Sequence, residues 1–153
     1  MSKIVPFLWF DGQAEAAAKF YVSLFQNSKI VSVMPGPDGK AMGVSFQLAG
    51  QDFTALNGGP QYKFTPAISL FVNCETQQEV DDLWKKLGAG GGGREDQCGW
   101  LQDKYGLSWQ IIPTALGKML GDKNRKKAGA AMQAMLQMKK IDIGGLQRAF
   151  DAA

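Results

Sequence analysis

The order of elements along the chain repeats, and a doubled β-α-β-β-β unit leaves few folds open. The first unit starts with an apolar run, Ile4–Phe10, that reads as a buried strand. Asp11-Gly12 ends it, and Asp11 stands where it can cap a helix over Gln13–Phe25. In that helix Ala17, Phe20, Tyr21, Leu24 and Phe25 recur at three- and four-residue spacing, which makes one apolar face. Strands follow at Lys29–Met34, Met42–Leu48 and Asp52–Leu56, separated by Gly- and Pro-rich turns.

The pattern restarts at Pro66–Asn73, 60 residues after Pro6. Thr76 and Glu79 fit a capping box, Val80, Leu83, Trp84 and Leu87 form an apolar stripe, and Gly88 is placed as a C-cap. The run Gly88–Gly93 reads as a mobile connector, and as a candidate lid. A hairpin over Gln97–Pro113 closes the second unit, turning at Asp103-Lys104-Tyr105-Gly106. Along its last strand Ser108, Gln110 and Ile112 point one way, and Leu107, Trp109 and Ile111 the other.

The predicted class is therefore α+β: tandem βαβββ modules forming a curved mixed sheet over residues 1–113 (about 1–59 and 66–113), followed by a helical tail over 114–153. Two such sheets paired edge to edge enclose an open trough suited to a small molecule. In the tail, Ala128, Ala131, Met132, Met135 and Leu136 mark one amphipathic helix. Asp142 caps another, with Ile141 and Leu146 at the positions of a hydrophobic staple. The tail is expected on the same domain or on a dimer partner.

Composition narrows the chemistry. The chain has no histidine, which removes Ser-His-Asp and Cys-His mechanisms and any imidazole-based zinc or iron site. Formal charge is +3 from 17 basic and 14 acidic residues, too balanced to imply nucleic acid, and the basic run Lys123–Lys127 lacks interleaved aromatics. No apolar run approaches the roughly 20 residues that span a bilayer, and residues 1–3 lead straight into a strand, so a cytoplasmic location and no membrane partner are expected. Cys74 and Cys98 are widely spaced and read as reduced thiols.

Several stretches carry a family resemblance. They are Pro6-Phe-Leu-Trp-Phe-Asp-Gly-Gln-Ala-Glu15 with Phe20-Tyr21, Thr54-Ala-Leu-Asn-Gly-Gly-Pro60 and Val72-Asn-Cys-Glu-Thr76. Gln97-Cys-Gly-Trp100, Gly106-Leu-Ser-Trp-Gln110 and the tail run Met132–Asp142 complete the set. The chain resembles the PhnB-like branch of the vicinal oxygen chelate (glyoxalase/bleomycin-resistance/dioxygenase) superfamily, also labelled 3-demethylubiquinone-9 3-methyltransferase-like. The resemblance implies a homodimer. It also implies metal ligands on the first and last strands of each unit, at positions that fall here near Val5, Asn57, Ala67 and Gln110. None of these is a carboxylate or an imidazole, and Gln110 stands where a Glu is usual, so no tightly bound divalent metal and no cofactor are expected. Methyl transfer is not supported by the glycines, because Gly88–Gly93 follows a helix rather than joining a strand to one.

What remains is a trough of amides and aromatics. Val5, Phe7 and Trp9 are expected on its first-strand wall and Phe53, Ala55 and Asn57 on its fourth. Trp9, Asn57, Trp100, Ser108 and Gln110 are the candidate ligand-binding residues. The predicted function is a small-molecule-binding protein for an organic ligand; the alternative is a lyase, isomerase or group-transfer enzyme of the superfamily's type. No catalytic residue is assigned: Asp103, Tyr105, Tyr62 and Glu95 all fall at turns, where a solvated role is expected.

Overall fold

The computed structural model describes residues 2–153. The chain divides into two compact units, Met1–Phe64 and Thr65–Ala153.

The first unit is one βαβββ module. Strands β1 (Phe7–Phe10), β2 (Lys29–Pro35), β3 (Ala41–Leu48) and β4 (Gln51–Asn57) form a four-stranded sheet in the order β1-β4-β3-β2. β1 runs parallel to β4 and the other neighbours are antiparallel. Helix α1 (Ala14–Val22) covers one face. It packs Ala14, Ala17, Ala18 and Tyr21 over Leu8, Phe10, Val44, Phe46, Phe53 and Ala55, all buried. The small alanines let the helix lie close to the sheet, while Tyr21, Phe46 and Phe53 form an aromatic run in which the two phenylalanines stack at 5.4 Å.

Asp11 does not cap α1. The N-cap is Gln13, whose side chain makes no cap bond. Instead Asn57 reaches across from β4, accepting from the Ala14 amide at 2.8 Å and donating to the Ala41 carbonyl at 2.9 Å. A helix start satisfied from 43 residues away is a tertiary cap, invisible to a local reading.

The second unit repeats the module and adds the tail. Strands β5 (Ser69–Cys74), β6 (Arg94–Glu95), β7 (Trp100–Gln102) and β8 (Ser108–Pro113) form a sheet in the order β5-β8-β7-β6, with β5 parallel to β8. Helix α2 (Gln77–Leu87) buries Val80, Leu83, Trp84 and Leu87, the predicted stripe. Thr76 accepts from the Glu79 amide, and the Glu79 carboxylate accepts from the Glu75 amide rather than from Thr76, one residue off the ideal box.

Gly88–Gly93 is not a featureless connector. It forms a single 3-10 turn over Ala89–Gly91, closed by Gly91 and Gly93 amides that both donate to the Gly88 carbonyl. A Cβ at Gly91 would collide with the Lys86 carbonyl, and one at Gly93 with the Gln102 and Leu87 carbonyls. The glycines are there because backbone passes against backbone.

The tail supplies α3 (Thr114–Leu120), α4 (Arg125–Leu136) and α5 (Ile143–Ala152). Leu116, Met119, Ala131, Ile141 and Leu146 pack with Ile112 of β8 in one cluster. Each large aliphatic side chain buried there contributes about 1.5–3 kcal/mol. The Ile141–Leu146 staple and the Asp142 cap, which accepts from the Gly144 amide at 3.1 Å, both form as expected. Polar contacts hold the tail to α2: Gln77 donates to the Ile141 carbonyl and accepts from the Ile143 amide, and Lys140 pairs with Asp81 at 2.9 Å. Among the described residues no helix is long and apolar enough to cross a membrane.

Candidate functional site

Strand parity divides the second sheet into two unlike faces. Leu101 and Trp109 are register partners, as are Val72 and Ile111, and this face lies under α2 with Leu101, Trp109 and Ile111 fully buried. The opposite, open face carries Ser69, Phe71, Trp100, Gln102 and Gln110, each at least partly exposed, and the buried Ser108. Ser69 and Gln102 flank Ser108 on either side, and Phe71 and Trp100 flank Gln110. The two rows therefore bring together three of the predicted residues, Trp100, Ser108 and Gln110. They add Ser69, Phe71 and Gln102, which the sequence reading missed because it fixed the parity of β8 but not its pairing with β5.

The polar groups on this face are partly spent. Gln110 donates its amide to the Ser69 hydroxyl at 3.0 Å, which leaves the Gln110 carbonyl oxygen free to accept. The Ser108 hydroxyl is buried and has no hydrogen-bond partner among the described residues. A buried polar group left unpaired costs about 1–3 kcal/mol, so this one marks a place where a partner belongs. Phe71, beside Gln110, is 53% exposed, an aromatic surface facing outward.

The turn below this face has a different job. Asp103 is buried, not solvated. One carboxylate oxygen accepts from the Tyr105 and Leu107 amides at 2.8 and 3.1 Å, and the other from the Trp109 indole at 2.9 Å. Gly106 takes a left-handed φ of 88°, which the tight turn requires. Asp103 and Gly106 thus build the β7–β8 hairpin and set the register that turns Gln110 outward. Burial and the neighbouring Asp103 charge push the Tyr105 phenol up. Glu95 is also placed structurally, accepting a short hydrogen bond from the Trp84 indole.

In the first unit the candidates separate. Trp9 pairs with Leu56 and lies on the face away from α1, whereas Asn57 pairs with Phe10 and lies on the α1 face with Phe53 and Ala55. The expected wall of Phe53, Ala55 and Asn57 is therefore corrected: these side chains are under the helix, and Asn57 is the tertiary cap described above. Asn57 also borders a cavity of about 730 Å³ at that end of the sheet, between the Gly12 turn and the Gly36–Lys40 loop. Trp9 lies flat on Gly58, where a Cβ would strike its ring. Its indole donates to the Gly59 carbonyl at 2.9 Å, and Tyr62 meets it edge-on at 4.9 Å. Its one donor is used within the loop, so it can offer a ligand only its ring.

The metal positions inferred from resemblance shift as well. Val5 precedes β1 and borders a cavity with Ser45 and Thr54, Ala67 lies in the turn before β5, Asn57 faces α1, and Gln110 stands on the open face of the second sheet. Around Gln110 the donors are hydroxyls and neutral amides. Among the described residues no group of three or more His, Cys, Asp or Glu side chains is placed to hold a metal. This donor set does not fit zinc, nickel or iron, which require imidazole, thiolate or carboxylate to outcompete water. Cys74 is equally unsuited, because burial pushes its thiol up to about 12, with Glu79 and Glu75 adding to the rise.

A family profile described as 3-demethylubiquinone-9 3-methyltransferase matches residues 2–112. The chain belongs to this PhnB-like family. A PhnB protein from Bacillus cereus is 38% identical to it, with a TM-score of 0.68 over 73% of this chain and 99% of that one. A Pseudomonas aeruginosa protein has a TM-score of 0.58 at 19% identity, over 74% and 98% of the two chains. A glyoxylase/bleomycin resistance protein/dioxygenase domain from Frankia has one of 0.52 at 14% identity, over 82% and 96%. No curated protein matches the sequence. The fold is thus that of the vicinal oxygen chelate superfamily, and the family match ends at Ile112, before the three tail helices begin. The family's label implies a methyl donor. The glycines that would have to cradle one are consumed in the turn after α2, so these residues do not fit it.

Proposed function

We propose that this PhnB-like protein binds a small organic molecule on the open face of its second sheet, through Ser108, Gln110 and Trp100, without a tightly bound divalent metal. The observation that carries this reading is the buried, unpartnered Ser108 hydroxyl, set in a row with Ser69 and Gln102. Once the side chains over it part, the Ser108 hydroxyl can donate to or accept from a ligand, the Gln110 carbonyl can accept, and Phe71 and Trp100 offer flat apolar surfaces. Such a set suits a planar or apolar molecule with one or two neutral polar groups. Asn57, spent as the α1 cap, does not contact the ligand. The protein works as a homodimer, in keeping with the resemblance noted in its sequence.

The test is native mass spectrometry of untagged protein taken directly from cells. The reading expects a retained organic mass in the wild type that is lost in Ser108→Ala and Gln110→Ala, with both variants melting as the wild type does. Wild-type protein that carries no adduct and binds nothing in a metabolite-extract screen sinks it.

A further inference from the structure

The open face of the first sheet holds a feature that the reading above does not use. Ser32, Ser45 and Thr54 are consecutive register partners across β2, β3 and β4, and Phe7 is the partner of Thr54 on β1. Neighbouring strands are about 4.8 Å apart, so this is a row of three hydroxyls at roughly that spacing, ending on an aromatic ring. Phe7 is 60% exposed. None of the three hydroxyls is spent on another side chain among the described residues.

The next row pairs Gln47 with Asp52, and Gln47 donates to Asp52 at 2.8 Å. The other Asp52 oxygen accepts from the Ser2 amide at 2.8 Å. These hydrogen bonds, the Ser2 amide foremost and then Gln47, pull the carboxyl down to about 2, so it is ionised at any physiological pH. Val5, Val31 and these polar residues border a cavity of about 390 Å³, within the size range of small-ligand sites.

We infer that this cavity is a binding site for a small uncharged polyhydroxylated molecule, of the size of a monosaccharide or a cyclitol. Each of the three hydroxyls can donate and accept, which matches hydroxyls on the ligand and not a ligand that only accepts. The Asp52 carboxylate accepts from Gln47 and Ser2 and adds a negative edge to the row, where a ligand hydroxyl can donate. Gln47 retains its carbonyl oxygen as an acceptor. An ammonium ligand would engage Asp52 and leave the hydroxyl row without a purpose. The inference stands on the Met1–Phe64 unit and does not depend on what the second sheet binds.

Amide chemical-shift titration of the full chain tests it, with myo-inositol and methyl glucoside as polyol probes and ethanolamine as a cationic one. Saturable shifts centred on Ser45, Asp52 and Thr54 are expected with at least one polyol. Thr54→Val and Ser45→Ala should each weaken that binding roughly 2- to 10-fold, the effect of one neutral hydrogen bond. Both changes keep the strand's shape, and Ser45→Ala alone suffices should Thr54→Val disturb β4. The inference is overturned by no saturable shift with either polyol or by affinities that both variants leave unchanged. Tighter ethanolamine binding that Thr54→Val does not affect would also overturn it. Because the reporting amides are all in the first unit, its failure leaves the second-sheet reading standing.

Discussion

Removing the Asp103 carboxylate should cost stability without any change in chemistry. Asp103 is 3% exposed and accepts three hydrogen bonds, from the Tyr105 and Leu107 amides and the Trp109 indole. Hydrogen bonds to a charged group are worth about 1.5–3 kcal/mol each. They cannot simply be added, because water enters the space that Asp103→Ala opens and recovers part of the loss. Stranding one buried indole donor and two turn amides is therefore expected to cost about 3–5 kcal/mol, the range seen when one member of a buried charged set is deleted. Asp103→Asn keeps an acceptor for the two amides but turns an N–H toward the Trp109 indole, and should cost roughly 1–2 kcal/mol. For a domain stable by about 5–15 kcal/mol, the alanine variant loses a large share of its margin. Urea unfolding followed by tryptophan fluorescence gives both values. An alanine variant as stable as the wild type would refute the assignment of Asp103 to the hairpin, as would one that keeps its stability and loses only ligand binding.

Four further outcomes follow from the same geometry. Gly58→Ala should destabilise by about 1–3 kcal/mol through collision with the Trp9 ring, and a Trp9→Ala background should relieve part of that in thermal melts. Asn57→Ala should cost roughly 1–2 kcal/mol as the loss of the α1 cap, without weakening ligand binding. The Asp52 carboxyl is held at about 2 against an ordinary 3.8, so it contributes stability above pH 3.8 that fades as pH falls toward 2. The difference in melting temperature between wild type and Asp52→Asn should shrink over that window. Cys74, pushed up to about 12, should resist iodoacetamide at neutral pH while half-buried Cys98 reacts, a difference that peptide mass mapping after partial labelling records.

The sequence carried the fold well because the duplication is written in local signals. Apolar runs, the Thr76 cap, the Val80–Leu87 stripe and the Ile141 staple all depend on residues within a few positions of one another. The features it missed depend on distant partners. Asn57 looked like a trough residue until the parallel pairing of β1 with β4 put it beside Phe10, under α1. The glycines of Gly88–Gly93 looked featureless because the sequence cannot show the carbonyls of Lys86 and Gln102 pressed against them. Asp103 looked solvated because nothing local says that its carboxylate will be buried against Trp109. Among site residues, Ser108 and Gln110 followed from period two along a single strand. Ser69, Phe71 and Gln102 needed the pairing between strands.

The claim on which the rest depends is that the positions where the family resemblance places metal ligands, Val5, Asn57, Ala67 and Gln110, carry only apolar or neutral amide side chains. Metal quantification on untagged protein purified without chelators tests it most directly. Transition metal far below one equivalent per chain, unchanged in Gln110→Ala, is the predicted result. One equivalent of zinc, nickel, iron or manganese that Gln110→Ala removes would contradict it.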